Sequence, residues 1–336
     1  MSKEQVTQVI TPDYAIYNGD CVKGISRLPD KSIDFSVYSP PFNAIYNYSS
    51  SDEDMSNCRN YEEFLVHYEF LVEQMARVTK PGRMTFVHCF AIPKGMVLID
   101  FGGDIIRIHQ KHGFHWHGEH VVWKEPLRIA IKTRTRGLMH KVLVEDSTKT
   151  RAALHDRCLI FKRTGENVVP VAHPEGLSKY AGETEIPPGL KEKYAGWECN
   201  ATNKLSHWIW QHYASSVWMD IRGNRVLKYK PARDSEDERH VCPMMLDIVD
   251  RALALYSNPR DIVLTPFLGV GSEVYGAVTN GRRGIGFELK PSYFRQAVKN
   301  LMPPYEHAED DEMELGLKID GESWPDEIGE TEEPEA

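Results

Sequence analysis

Apolar and polar positions along the chain switch between two periods. Short runs of period two predict strands at Tyr14–Tyr17, at 33–38, at 84–89, at 113–123 and around Leu159–Phe161. Between the second and third of these, Tyr61, Phe64, Leu65, Tyr68, Leu71, Val72, Met75 and Val78 recur at helical spacing, and Lys80-Pro81-Gly82 closes that helix. Met245, Ile248, Val249, Ala252 and Leu255 predict a second helix. A strand at 261–264, a glycine turn, a helix, a strand at 283–288 and a last helix opened by Pro291 and reaching about Leu301 follow in order. Strand alternating with helix is the signature of an α/β layer fold with a mostly parallel sheet. No internal repeat is visible.

Three stretches break the rhythm. Residues 48–60 are polar and rich in Ser, Asp and Asn, which predicts a loop. Lys124 to Arg163 holds 11 Lys or Arg against four acids, and its centre, IAIKTRTRGLMHK, has no clear period. Residues 165–200 carry Gly, Pro and polar side chains, which predicts an irregular insertion, and Trp208, Trp210, Tyr213 and Trp218 follow it.

Composition changes this picture in two places. Of 336 residues 41% are hydrophobic, enough for a core, yet no apolar run approaches the roughly 18 residues of a membrane span. The opening MSKEQVTQVI has no apolar leader segment. The six cysteines (Cys21, Cys58, Cys89, Cys158, Cys199, Cys242) are scattered without a CxxC pair, which reads as reduced thiols and a cytoplasmic protein. The net charge of −9 argues against a nucleic-acid binder until it is divided. From Pro304 to Ala336 there are 14 acids and one lysine, so residues 1–303 carry +4. The tail is too acidic to build a core and is expected to be disordered, while the body is mildly basic.

Three constellations carry chemistry. The first is Thr265-Pro266-Phe267-Leu268-Gly269-Val270-Gly271-Ser272, between a strand and a helix, with Glu288 ending the next strand. Glycines there let a ligand approach the backbone, and an acid about 20 residues on can grip ribose hydroxyls. Without context such a turn is equally a tight connection. Neither GxGxxG nor a Walker lysine is present, which argues against a dinucleotide or ATP. The second is Ser39-Pro40-Pro41-Phe42 at the tip of the 33–38 strand. Prolines remove N–H donors and leave backbone carbonyls as acceptors. A hydroxyl and a carbonyl can hold the two hydrogens of an exocyclic amino group while an aromatic ring stacks on the base. The third is Asn18-Gly19-Asp20-Cys21 with His240-Val241-Cys242-Pro243. Asp20 alone reads equally as a helix cap, and His240 as a structural histidine.

Together these motifs resemble the amino-methylating DNA methyltransferases that use S-adenosyl-L-methionine, in the circularly permuted order with the catalytic motif first. YNGDCVKGISRLPDKSIDFSVYSPPF looks like the family's opening block. HVCPMMLDIVDRAL, DIVLTPFLGVGS and RRGIGFELKPSYFRQAVKNL look like its cofactor half, and WKEPLRIAIKTRTRGLMHKVLVEDS and SSVWMDIRG are similar to forms carried by bacteriophages and their hosts. The resemblance covers roughly residues 13–165 and 205–303. It implies a Rossmann-like methyltransferase fold with helices on both faces of the sheet. It implies a catalytic half at 1–124, a basic loop and target-recognition region at 125–238 with a core strand returning near 158–162, a cofactor half at 239–303, and the acidic tail at 304–336.

By the same resemblance Ser39, Pro40, Pro41 and Phe42 are the catalytic tetrapeptide. Asp20, Cys21, His240, Cys242, Pro243, Thr265, Pro266, Phe267, Gly269, Gly271, Ser272 and Glu288 line the cofactor. Where the family usually carries an acid before Pro-Phe, this chain has Thr265, which removes a carboxylate from the cofactor's ammonium and allows a weakened or inactive member. Duplex DNA is the implied partner, its base flipped out to reach the clamp, and a homodimer is admitted. Lys124, Arg128, Lys132, Arg134, Arg136 and Lys141 form the expected phosphate-contacting run; the alternative is a solvated face. A leading serine resembles the cytosine-N4 members, with adenine N6 the alternative and an inactive DNA-binding homologue a further one. His115, His117 and His120 have the spacing of a strand rather than of a zinc site, so no metal is expected.

Overall fold

The computed structural model describes residues 7–41, 55, 58–94, 97–133, 135–193, 203–233 and 242–302. Its centre is a nine-stranded sheet. In chain order the strands are β1 (Gln8–Ile10), β2 (Tyr14–Asn18), β3 (Ile33–Tyr38), β4 (Thr79–Cys89), a separate small hairpin of β5 (Ile92–Lys94) and β6 (Val97–Ile99), then β7 (Phe114–Val122), β8 (Asp156–Arg163), β9 (Val217–Trp218), β10 (Ile262–Thr265) and β11 (Arg283–Glu288). Across the sheet the order is β1-β2-β11-β10-β3-β4-β8-β7-β9.

The five central strands, β2, β11, β10, β3 and β4, run parallel. β8 is antiparallel to both its neighbours, so β7 points the same way as β4. β3 explains its own place: IDFSVY is buried at every position, as a parallel strand covered on both faces must be. Phe35 and Val37 face one layer and Tyr38 the other.

One face is covered by α1 (Cys21–Ile25), α2 (Tyr61–Val78) and α3 (Phe101–Lys111), whose Ile25, Phe64, Tyr68, Leu71, Phe101 and Ile105 share a core with Tyr38 and Val87. The other face is covered by α7 (Leu246–Tyr256), α8 (Ser272–Thr279) and α9 (Pro291–Asn300). From β10 the chain crosses through α8 to β11, moving one way along the sheet. From β3 it crosses through α2 to β4, moving the other way. The reversal falls between β10 and β3, and a crevice opens at the carboxyl ends of strands at such a reversal.

One expectation needs correction. The basic stretch without visible period contains two helices, α4 (Pro126–Thr133) and α5 (His140–Glu145). Leu127, Leu143 and Val144 on them are exposed, so burial imposes no apolar stripe for a sequence reading to find. Residues 165–193 carry neither helix nor strand, as expected of an irregular stretch, and the chain that follows packs back against the body. Its helix α6 (Lys204–Ala214) packs Leu205, Ile209 and Tyr213 with Leu177, and it returns to the sheet through β9. Arg251 of α7 pins it there: the guanidinium is fully buried among the rings of Tyr180, Tyr213 and Trp218 and is ion-paired with Asp220 at 2.8 Å.

Candidate active site

Asn18–Cys21, Ser39–Pro41, Thr265–Ser272 and Glu288 sit at the carboxyl ends of β2, β3, β10 and β11, on both sides of the topological reversal. The loop after β10 is shaped by two glycines in the left-handed region, Gly269 at φ 55° and Gly271 at φ 101°. A side chain there carries steric strain, so glycine is the residue that lets Thr265–Ser272 fold back over the strand tip. Gly271 caps α8, and Leu268 donates its N–H to the Phe287 carbonyl at 2.8 Å, tying the loop to β11.

Glu288 is fixed at the tip of β11 by two backbone donors. Gly269 N–H reaches one carboxylate oxygen at 2.8 Å and Lys290 N–H the other at 2.7 Å. On its far side Asn18 of β2 donates its amide to the Glu288 carbonyl at 2.6 Å, and Gly19 N–H reaches the same oxygen at 2.9 Å. The acid, the glycine loop and the Asn18-Gly19 tip therefore form one rim.

Asp20 caps α1, accepting from Lys23 N–H at 2.7 Å, so the capping reading of this residue is the one observed in the chain alone. Cys21 is buried under it, and burial pushes its thiol pKa up, with the Asp20 charge adding to that. Cys242 is exposed and Pro243 half-buried; they lead into Met244, which packs on the α7 face with Phe35, Val37 and Phe86.

Across the reversal, Ser39 is half-buried, Pro40 buried and Pro41 half-buried. The residue before them, Tyr38, is locked from below. Its hydroxyl lies 3.1 Å from that of Tyr68 and 3.2 Å from His109 Nε2, and its ring centroid lies 6.0 Å from that of Phe267 in the glycine loop. Burial pulls the His109 imidazole down to about 4, so it is neutral in this network. The proline tip and the glycine loop thus meet through Tyr38 and Phe267. Phe42, His240 and Arg134 lie outside the described residues, as do the side chain of Lys132 and the acidic tail.

The residues present fit a nucleoside cofactor. A Cβ built at Gly269 or at Gly19 meets nothing within 4 Å, so open space lies over both turns. Thr265 Oγ1 and Ser272 Oγ are buried and find no hydrogen-bond partner among the described residues, although buried hydroxyls are normally paired. Thr265 itself is fully buried.

Sequence reasoning missed His88. Ser39 donates to the His88 carbonyl at 3.0 Å and lies 3.4 Å from its Nδ1. On the other side of the ring, Nε2 stands 3.0 Å from Asp156 Oδ2, near in distance though off-line for a hydrogen bond. Asp156 Oδ1 accepts from Lys124 Nζ at 2.5 Å. Lys124 is therefore committed to a buried carboxylate rather than held out to a phosphate. Arg128 is half-buried beside Gly223, while Arg136 and Lys141 are exposed. Of the three histidines on β7, His115 and His117 are exposed and His120 is buried, stacked on Trp218 with centroids 4.3 Å apart. Among the described residues no group of His, Cys, Asp and Glu is placed to hold a metal ion.

The chain matches the family model of the DNA methylases, N6_N4_Mtase, over residues 33–299, and belongs to that family. It is 27% identical to the type II methyltransferase M.BglII of Bacillus subtilis over 85% of this chain and 68% of that protein. It is 26% identical to M.BamHI of Bacillus amyloliquefaciens over 82% of this chain, spanning about half (54%) of that relative. Among solved structures, the cytosine-N4-specific PvuII DNA methyltransferase superposes with a TM-score of 0.54 at 15% identity, covering 88% of this chain and 89% of that one. A putative DNA modification methylase of Thermus thermophilus, complexed with S-adenosyl-L-methionine, superposes with a TM-score of 0.55 at 17% identity, covering 86% and 94%. These two structural likenesses agree with the fold described above.

Proposed function

We propose that this DNA methylase transfers the methyl group of S-adenosyl-L-methionine to the exocyclic N4 amino group of a cytosine flipped out of duplex DNA. The observation that carries the reading is the meeting of the Ser39-Pro40-Pro41 tip with the Gly269–Gly271 loop across the sheet reversal, through rings 6.0 Å apart. S-adenosyl-L-methionine supplies an electrophilic methyl group on a sulfonium. Glu288 would accept the ribose hydroxyls, with Asp20 and Cys21 bordering the same rim. Thr265, Pro266, Phe267, Gly269, Gly271 and Ser272 would cradle the cofactor, with His240, Cys242 and Pro243 at its methionine end.

The amino nitrogen of cytosine is a weak nucleophile because its lone pair is delocalised into the ring. Ser39 Oγ and the Pro40 carbonyl would hold its two hydrogens, draw it toward tetrahedral geometry and aim it at the methyl group. Alignment at about 3–3.5 Å supplies much of the rate acceleration in such a transfer. Phe42 would stack on the extruded base. Serine at the head of the tetrapeptide favours cytosine N4 over adenine N6.

The test is mass spectrometry of nucleosides from duplex DNA incubated with the full chain and S-adenosyl-L-methionine. N4-methylcytosine, lost in Pro40→Ala, is the expected product. N6-methyladenine in its place would reassign the base. No modified nucleoside, together with DNA binding and no heat of cofactor binding, would replace the enzyme by a DNA-binding homologue disabled at Thr265.

A further inference from the structure

Behind the proline tip runs a line of polar groups that the amino clamp does not use. Ser39 follows β3, His88 lies one residue before the end of β4, Asp156 opens β8, and Lys124 follows β7. These strands are neighbours, and β8 runs opposite to the others, so all four positions fall at the carboxyl edge. The spacing along the line is 3.4 Å from Ser39 Oγ to His88 Nδ1, 3.0 Å from His88 Nε2 to Asp156 Oδ2, and 2.5 Å from Asp156 Oδ1 to Lys124 Nζ.

We propose that His88 takes up, through Ser39, the proton released by the methylated amino nitrogen, with Asp156 holding the imidazolium and Lys124 holding Asp156. This inference rests on the reading that Ser39 grips the target amino group.

The balance requires such an outlet. When the amino nitrogen gains a methyl group, the N–C bond forms as the S–C bond breaks, and the nitrogen is left with one proton too many. That proton passes to Ser39 Oγ while the Ser39 hydroxyl proton passes to His88 Nδ1, and the imidazolium later returns a proton to solvent.

The tautomer follows from the neighbours. A carboxylate facing Nε2 favours the Nε2–H form and leaves Nδ1 as the acceptor facing Ser39. The Ser39 hydroxyl donates in the resting chain to the His88 carbonyl at 3.0 Å, and a rotation about its C–O bond turns the hydrogen to Nδ1.

Asp156 is buried, and burial alone would raise its carboxyl. The facing His88 ring and the Lys124 ammonium bonded to it outweigh that and hold it at about 2, so it is anionic throughout the working range. A proton taken up by His88 would sit beside the Asp156 carboxylate, which Lys124 holds in place. Among the described residues Cys158 is the strand partner of His88 on β8, and burial pushes its thiol well above the usual range and keeps it neutral. Arg157, next along β8, turns to Glu119 and Asp100 instead. The chain of partners is that of a serine–histidine–aspartate arrangement, used here to drain a proton rather than to activate an attacking hydroxyl.

The experiment is single-turnover methylation of duplex DNA by the full chain across pH 5 to 9, beside calorimetric titrations with S-adenosyl-L-methionine and with DNA. Wild type should show a rate that falls on the acid side, as a proton-accepting relay requires. His88→Asn should lower the single-turnover rate by about 100-fold, leave both binding constants within about threefold of wild type, and abolish the acid limb. Asp156→Asn should move that limb to lower pH, because the imidazolium loses its counter-charge. His88→Gln serves if the Asn variant does not fold.

A His88 variant that keeps the wild-type rate, or that loses rate while the acid limb stays in place, overturns the relay. Wild-type protein that methylates no DNA overturns the reading beneath it, and the relay with it.

Discussion

Tyr38 and Phe267 lie 229 positions apart in sequence, and their ring centroids are 6.0 Å apart in the fold. One precedes the proline tip and the other sits inside the glycine loop, so this pair sets the distance between the proposed base clamp and the proposed cofactor cradle. Tyr38 is held by Tyr68 and His109, which leaves Phe267 as the adjustable partner. Phe267→Ala is expected to remove an aromatic pair worth about 1 kcal/mol and to leave the loop less ordered. Calorimetry should show cofactor binding weakened about tenfold, with the melting temperature down by only a few degrees. An unchanged affinity would mean that the loop is set by its glycines alone.

The glycines can be tested separately. Gly269 has φ 55° and open space where a Cβ would stand. Gly269→Ala meets no steric neighbour in the chain but places a methyl group in the proposed cradle and carries about 1 kcal/mol of backbone strain. Cofactor affinity should fall by more than the strain explains, beyond tenfold, while thermal stability falls by about 2–4 °C. Equal losses of binding and stability would make the glycine a turn residue only.

Glu273, in the first turn of α8, is buried, and burial, with the Glu288 charge adding to it, raises its carboxyl from 4.5 to about 8. A folded-state value above the unfolded one means that folding gains nothing from this group below the unfolded pKa. Stability is then lost as pH rises from there to the folded value, because the unfolded chain ionises first. Glu273→Gln should therefore raise the melting temperature most at pH 8, little at pH 4, and flatten the decline between them. Denaturant unfolding followed at several pH values checks this, and a variant that parallels wild type at every pH would show that Glu273 is ionised and paired in the fold.

The legible parts of this protein are those where burial dictates residue type. IDFSVY reads as a doubly covered strand because each of its positions is buried, and α2 reads as a helix because Phe64, Tyr68, Leu71, Val72 and Met75 line one buried face. The glycine loop was legible because φ values of 55° and 101° require glycine, and glycine is visible in a sequence. The helices at Pro126–Thr133 and His140–Glu145 were not, since Leu127, Leu143 and Val144 point outward and Met139 offers no capping side chain to α5. The two-residue strand at Trp218 was hidden because its place depends on a buried arginine from α7. His88 escaped for a related reason. A lone histidine in a strand carries no signal until the register of β4 against β8 sets it beside Asp156.

The same ion pair separates two roles inside the basic run. Arg136 and Lys141 are exposed, and Lys141 is only loosely paired with Glu145 at 3.9 Å, whereas Lys124 is bound to a carboxylate that is 2% exposed. If the run tracks a phosphate backbone, Arg136→Ala and Lys141→Ala should each weaken DNA binding and reduce the slope of log Kd against log salt by about one. Arg128, half-buried beside Gly223, should show a smaller change in slope. Lys124→Ala should behave differently in kind. It strips Asp156 of its cation and costs up to about 3 kcal/mol of stability, yet leaves the salt slope near that of wild type. Fluorescence anisotropy with a labelled duplex between about 50 and 200 mM salt, read beside thermal melts, resolves the two behaviours. Parallel salt slopes for wild type and for the Arg136 and Lys141 variants would make this surface a solvated face and move the phosphate contacts elsewhere on the carboxyl edge of the sheet.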